Sequence, residues 1–493
     1  MPKPGVIVTS RAARSTRGEE VDTGQWFVTG FCERGPAGIA EDVLSIDDFT
    51  ALYGDRTTIS ATLYDSLETY FSEGGALAFV SRVSGPSPTK GFLNLMDRAG
   101  TPLQTLKVEA LYVGSYSSRI KVQVTDGTPA NSFTIIVLYD NVEVERFSDI
   151  LNPAAATTAT AASAFVLVTN LASATAPPTN NAAVLAATVL SAGDDKNGTA
   201  TESDWTAALT YFDVGLGTGQ VSAPGRTTLP AQQALVSHAS LNNRTAYLDF
   251  TDSSTKAALV TAVNLINVYP GAEYAALFAS WVVIPGLTPS STRVAPGSAF
   301  AAGLTARTDF ETGTAAHAAA GDQGEAQYAI DVRQPTPGYT DADYDALNEK
   351  GVNMTQVIRG RGVQLYGFRS ISTDPEWLFL TYNRIRTSLT FRLGNIAKAF
   401  VFDTIDGRGQ VFAEFQAALE GELEIDFYLD ALFGESSEDA YFVDTGEGIN
   451  TPTTVALGEI RAGVFIRMSA LAEYVRIDII KTPITEAVPG GVS

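Results

Sequence analysis

Little in this chain is suited to nucleophilic or metal chemistry. It has two histidines, His238 and His317, one cysteine, Cys32, and no metal-ligand spacing around any of them. A structural or surface role fits each histidine better than a catalytic one. No G-x-x-x-x-G-K-[ST] run and no G-x-S-x-G elbow occurs. Gly215-Leu216-Gly217-Thr218-Gly219 lacks the G-x-G-x-x-G spacing and follows a short helix, so it reads as a flexible loop and not a dinucleotide turn. Asp403 and Asp406 could form an acid pair, but a capped loop between two helices is the simpler reading. No catalytic residue, metal or cofactor is therefore expected. The cluster that stands out is basic: Arg384, Arg386, Arg392 and Lys398, with no acidic residue between Trp377 and Phe402. Its chemistry is ion pairing, and the partner is either this chain or another.

The elements that position these residues lie between Gly360 and Asp406. Val363–Phe368 is a strand-like run. A Ser/Thr/Asp cluster, Ser370–Asp374, precedes Pro375, so Asp374 can cap a helix whose first turn tolerates the missing N–H. Leu378, Tyr382, Ile385, Leu389, Leu393, Ile396 and Phe400 follow at steps of 4, 3, 4, 4, 3 and 4, which puts them on one face of a long helix. A second long helix is predicted over Gln410–Phe433, carrying Glu414, Glu420, Glu422, Glu424, Asp426 and Asp430. The two are charge-complementary. They can pack on each other, or the basic one can face a neighbour.

At 493 residues the chain has room for two to four domains, and its 45% apolar content supports large cores. The net charge of −22 argues against nucleic acid as a general partner, because a phosphate-binding surface needs positive potential. A lone cysteine rules out a disulfide framework and points to synthesis in a reducing compartment. The start MPKPGVIVTS has no signal-peptide pattern, and the most apolar run, Ala275–Ile284, is too short to cross a bilayer.

Taken in order, Pro4–Thr9 is a short extended segment followed by a polar linker, Ser10–Gly24. Strand Gln25–Phe31, a helix after Ser45 ended by Gly54, helix Ile59–Phe71 and strand Ala76–Val83 indicate an α/β layer. From Phe92 to Tyr139 the pattern is β-rich, with strands over Leu103–Val113, Ile120–Thr125 and Phe133–Tyr139. The Ala/Thr-rich tract Ala154–Ala187 reads as surface helix and loop. Helix Trp205–Tyr211, capped by Ser203, reopens the α/β pattern. It continues through helix Ala231–Leu241, strand Ala246–Phe250, helix Ala257–Ile266, strand Tyr274–Ile284 and a closely packing small-residue helix, Ser298–Arg307. Helix Asp341–Lys350 and strand Val352–Ile358 lead to the central stretch. After it, Ala440–Val443 and Val455–Met468 read as strands, and the alternating run Glu473–Ile479 as a half-buried one. The expected organisation is multidomain α/β (α+β). It comprises an arm and linker (1–24), an α/β middle domain (25–87 with 193–350), an inserted β-rich domain (88–192), a core inner domain (351–470) and a C-terminal arm (471–493).

Several stretches, in the same order, resemble the tail sheath proteins of contractile-tailed bacteriophages. Pro4-Gly5-Val6-Ile7-Val8 is similar to that family's P-G-V-Y-V opening, and Glu33-Arg34-Gly35-Pro36 to its E-R-G-P turn. The run from Phe71 to Val83 resembles F-x-N-G-G-x-x-A-Y-V-V-R-V. Val294–Gly303 with Arg307, Asp309 and Gly313 resembles V-P-P-S-G-x-V-A-G-x-x-A-R-x-D-x-x-x-G. Gly362, Tyr366-Gly367-Phe368-Arg369-Ser370, Ser372, Trp377 and Arg384 resemble G-x-x-x-W-G-A-R-T-x-S…W-x-Y-x-x-x-R-R. Tyr366 stands where Trp is usual, Asn383-Arg384 where Arg-Arg is usual, and Ala315–Gly324 replaces a Pro-Ala-Asn segment. Residues 88–192 lie outside the resemblance.

The resemblance implies a structural subunit that polymerises around an inner tail tube and contracts to drive it through a bacterial envelope. Its implied partners are further copies of itself, the tube protein, and baseplate and terminator proteins, with no direct nucleic acid and no membrane insertion. It implies a place in the virion tail, assembled in the host cytoplasm; a tailocin or other injection system is the alternative, and a soluble α/β enzyme the outsider. Terminal strands would exchange between subunits, here through Val6, Ile7 and Val8 and through Val475, Ile477 and Ile479. Arg384, Arg386, Arg392 and Lys398 would be open to a tube or neighbour contact. With no nucleotide motif, the energy would be stored in assembly; even about 1–3 kcal/mol per subunit is ample when summed over a polymer.

Overall fold

Trp26–Gly30 is apolar in sequence and wholly buried, the signature of a strand covered on both faces. In the computed structural model, which describes residues 23–477, it lies inside a seven-stranded sheet. The order is Val352–Asn353, Ala275–Phe278, Thr245–Leu248, Gln220–Ser222, Trp26–Gly30, Ala78–Arg82 and Ala40–Val43. All neighbours are parallel except the edge strand Ala40–Val43. Side chains alternate between faces, so Trp26 and Val28 enter one core with Leu67, Tyr70, Phe300 and Leu304. Phe27 enters the other, with Trp205, Leu235, Val236 and Leu259.

The helices keep their expected places with shifted ends. Ser45 caps Ile46–Tyr53, its side chain accepting from the Asp48 N–H, and Gly54 closes that helix at φ 88°. The helix expected from Ser203 is Glu202–Leu209, and its cap is Thr201, in a reciprocal capping box with Asp204. The small-residue helix runs further than expected, Gly297–Thr312. It does pack closely: a Cβ on Gly303 would sit 2.8 Å from the Tyr70 carbonyl.

Two expected strands are each divided between sheets. Tyr274–Ile284 becomes Ala275–Phe278 in the main sheet and Val282–Pro285 in a three-stranded sheet with Thr292–Ala295 and Asp331–Val332. The Trp281 indole donates to the Phe250 carbonyl at the break (2.7 Å). Val352–Ile358 becomes Val352–Asn353 in the main sheet and Thr355–Ile358 paired with Gly362–Leu365. The Thr355 N–H at that break donates to the Ser280 hydroxyl (3.0 Å).

Residues 88–192 hold two antiparallel sheets around their own core of Leu106, Val108, Val122, Phe133, Ile135 and Val166. The Ala/Thr tract, expected to be helix and loop, also contributes two strands, Val166–Asn170 and Leu185–Val189. The basic helix (Leu380–Lys398) and the acidic helix (Gln410–Tyr428) pack through Ile385, Leu389, Ile396, Phe415, Leu419 and Leu423. Beside them is a two-stranded ribbon, Tyr441–Asp444 with Gly463–Ile466. The strand expected over Val455–Met468 starts late. Pro452–Ala456 is a helical turn capped by Thr451, and Gly458 at φ 76° ends it.

The strand expected over Glu473–Ile479 does not form in the described part of that run, 473–477. No strand among the described residues pairs its backbone, and Val475 and Ile477 are each 79% exposed. Val6, Ile7, Val8 and Ile479 lie outside the described residues.

Candidate functional site

Asp374 caps a short 3₁₀ turn, Pro375–Trp377, accepting from the Glu376 N–H (3.0 Å), and not the long helix itself. The basic helix begins at Leu380 with no side-chain cap. The chain closes on itself just before it: Arg369 bridges Phe379, and the Ser370 N–H donates to the Leu378 carbonyl (3.0 Å). Asn353 fixes this loop from the main sheet, exchanging both of its amide hydrogen bonds with the Arg369 backbone at 2.7 and 2.8 Å.

The four basic residues, expected to share one basic surface, have separate fates. Arg384 is buried and ion-paired to Asp309 of the small-residue helix, and also donates to the Ala315 carbonyl (3.3 Å). Arg392 reaches the acidic helix, bonding Glu422 (2.6 Å) and Asp426. Burial pushes the Asp426 carboxyl above its ordinary range, against the pull of Arg392. Arg386 is stacked between Tyr274 and Trp377, 4.1 and 4.0 Å from their ring centres, with Glu273 at 3.9 Å. Lys398 is exposed and bonded to the Asn395 side chain (2.9 Å). Pairing of the basic and acidic helices within one chain thus runs through Arg392 alone of the four.

Other polar anchors were not singled out by the sequence. Glu73 is fully buried and accepts from three consecutive backbone N–H groups, those of Gln327, Tyr328 and Ala329, at 2.8–3.0 Å. Burial nevertheless raises its pKa. Arg82 and Asp195 form a buried pair where the 88–192 segment joins the sheet, and Arg82 also donates to the Gly35 carbonyl (2.7 Å). Arg369 holds Glu473, and Thr23 donates to Asp309. The sequence signal for these was the presence of Glu73, Arg82, Asp309 and Arg369 inside the quoted motifs.

In doubly wound sheets the ligand crevice lies where strand order reverses. Here that is between Trp26–Gly30 and Gln220–Ser222. Trp205 fills it, with Arg226 4.6 Å over its ring and ion-paired to Glu202. The void left there is about 10 Å³, room for no more than one water. Among the described residues no group of three His, Cys, Asp or Glu side chains could hold a metal ion, and no helix is long and apolar enough to cross a membrane.

Two surfaces invite partners. The ribbon Tyr441–Asp444/Gly463–Ile466 has no third strand among the described residues, and it exposes Phe442 and Phe465, stacked at 6.2 Å. Two strands alone are marginal in water. The second surface is the exposed segment 474–477, with Tyr474, Val475 and Ile477 unburied.

No protein-family model matches the chain, and no curated protein sequence matches it. Solved structures do. The sheath of the PVC extracellular contractile injection system in its contracted state is 14% identical, with a TM-score of 0.59 over 98% of both chains. The contracted helical sheath of the anti-feeding prophage is 17% identical, with a TM-score of 0.54 over 98% of this chain and 100% of that one. A sheath tail protein of Listeria innocua is 14% identical, with a TM-score of 0.60 over 88% of this chain and 92% of that one. The multidomain α/β architecture of this chain is, over nearly its whole length, the fold of these solved contractile sheath proteins.

Proposed function

We propose that this chain is the structural subunit of a contractile sheath. It polymerises around an inner tube and shortens to drive that tube through a bacterial envelope. The observation that carries this is the end-to-end likeness to sheath subunits, 98% of both chains in one case. The filled crevice at the strand-order reversal weighs in the same direction, because it removes the usual ligand site of the fold.

Neighbouring copies are joined by exchanged strands. Val6, Ile7 and Val8 from one end and Val475, Ile477 and Ile479 from the other add to the open ribbon Tyr441–Asp444/Gly463–Ile466 of adjacent subunits. Main-chain hydrogen bonds then hold neighbours while linkers flex. The region 351–470 lies nearest the tube and 88–192 outermost; Lys398, the freest of the basic residues, is the best placed of the four to meet the tube or a neighbour. Further partners are the tube, baseplate and terminator proteins. The particle is a phage tail assembled in the host cytoplasm, with genome ejection as its task, or a tailocin or other injection system. The likeness to two injection-system sheaths favours the second reading as much as the first. Capsid and terminase genes beside this one would decide for a phage.

Electron microscopy of the purified protein tests the proposal. Long hollow tubes are expected; discrete globular particles at every concentration and salt would overturn it.

A further inference from the structure

Thr23 and Glu473, described residues next to the two expected arms, are each tied to an arginine, Thr23 through Asp309 to Arg384 of the basic helix and Glu473 directly to Arg369 in the loop before that helix. At the N-terminal root, Thr23 donates its hydroxyl to Asp309 (2.5 Å), and the same carboxylate is paired to Arg384 of the basic helix. Gln220 donates to the Thr23 carbonyl (2.8 Å) and the Tyr70 hydroxyl to the Gly24 carbonyl (2.9 Å). At the C-terminal root, Arg369 donates to Glu473 (2.8 Å from Nε). Arg369 is bridged to Phe379 at the start of the helix that carries Arg384.

The two grips differ in depth. Arg384 and Asp309 have side chains 3% and 6% exposed, in a network that includes the Ala315 carbonyl and, through Thr23, Gln220. Arg369 and Glu473 are 10% and 18% exposed, and residues 474–477 pair with no strand among the described residues, with Tyr474, Val475 and Ile477 68–79% exposed. Beside Glu473 is an open cavity of about 420 Å³, lined by Tyr344, Asn348, Gln356, Tyr366, Phe368 and Leu471.

We propose that the Arg369–Glu473 pair is a releasable latch for the C-terminal arm, while Thr23–Asp309–Arg384 fixes the N-terminal arm permanently. The inference rests on the sheath reading for its purpose: one arm stays clamped as a load-bearing anchor, and the other pivots at residues 471–477 when subunits slide. The latch itself is a property of the single chain. Arg369 grips the Glu473 carboxylate through both Nε and Nη2, but at 10% and 18% exposure this pair is the more accessible to water of the two and so the more readily screened and exchanged.

The test uses the full chain with a spin label at Val475→Cys; Cys32 is fully buried and stays unlabelled. Glu473→Gln is expected to shorten the label's correlation time at least about threefold, into the free-segment range. The swap Arg369→Glu with Glu473→Arg should restore it, and a label at Leu241→Cys should not respond. Unchanged mobility at position 475 in Glu473→Gln would overturn the latch, whether or not the protein forms tubes. A mobile tail in a protein that never forms tubes would keep the latch and overturn the sheath reading. In tubes, Glu473→Gln is expected to raise the contracted fraction under the same conditions; an unchanged fraction with a freed tail would remove the latch from the contraction step.

Discussion

At the scale of single residues, burial decides which charges matter. Removing Arg384 leaves Asp309 buried beside Thr23, and removing Arg392 leaves Glu422 and Asp426 with side chains 7% and 6% exposed. Arg384→Ala and Arg392→Ala should each cost about 3–5 kcal/mol. Arg386→Ala loses two ring contacts and should cost about 1–2 kcal/mol. Lys398→Ala should stay within about 0.5 kcal/mol. Denaturant midpoints measure the series; four equal, small effects would mean that the basic residues share an exposed face after all. A second prediction concerns Asp249. It is buried and accepts from the Ser298 N–H (2.8 Å), the Ser298 hydroxyl (2.7 Å) and the Gly225 N–H (3.0 Å). Burial still pushes its carboxyl from 3.8 up to about 6. A folded-state pKa above the unfolded one means the folded chain holds this proton more tightly. Its contribution is therefore full below about pH 4 and lost as pH rises through 6, a change of about 3 kcal/mol. Ser298→Ala removes one of the donors that favour the anion, so its melting temperature should fall more between pH 5 and 8 than that of the parent. Equal falls would contradict this.

At the scale of elements, capping separates what the sequence makes plain from what it hides. Thr201→Ala should cost about 1 kcal/mol and Ser203→Ala almost nothing, as read from thermal melts. Both side chains are caps by type, and Ser203 is the one expected from sequence; the reciprocal spacing from Thr201 to Asp204 is the signal that this expectation passed over. The helices with period 3.6 were legible, and so were the strands Trp26–Gly30, Ala78–Arg82, Thr245–Leu248 and Ala275–Phe278, each carrying an unbroken apolar run; the central strand Gln220–Ser222, three residues long after a glycine-rich loop, was not. The divided strands were not. Ala275–Ile284 is continuously apolar, and nothing local says that Trp281 turns toward the Phe250 carbonyl. The strands of the Ala/Thr tract were hidden because Val166–Asn170 and Leu185–Val189 are short and embedded in helix-tolerant alanine. At the candidate site, four basic side chains could be seen to cluster in sequence. Their partners could not, because Asp309 lies 75 residues from Arg384 and only the tertiary fold unites them. The same holds for Arg369 and Glu473, separated by 104 residues.

At the scale of the whole molecule, the chain has a filled crevice at its strand-order reversal and, among the described residues, unfinished sheet edges. Its interior leaves no room for a ligand where this sheet architecture would place one, and its ribbon and C-terminal segment lack β partners among the described residues. An unpaired strand edge can add a strand from another copy, which is the contact the proposed sheath assembly calls for. The net charge of −22 opposes indiscriminate pairing of such edges between copies. The most direct measurement is a cryo-EM reconstruction of the polymer formed by the full chain. Residues 1–22 and 478–493 are expected to lie as strands on the Tyr441–Asp444/Gly463–Ile466 ribbons of neighbouring subunits, around a central channel. A polymer in which those segments fold back on their own subunit, or one with no channel, would contradict the assignment.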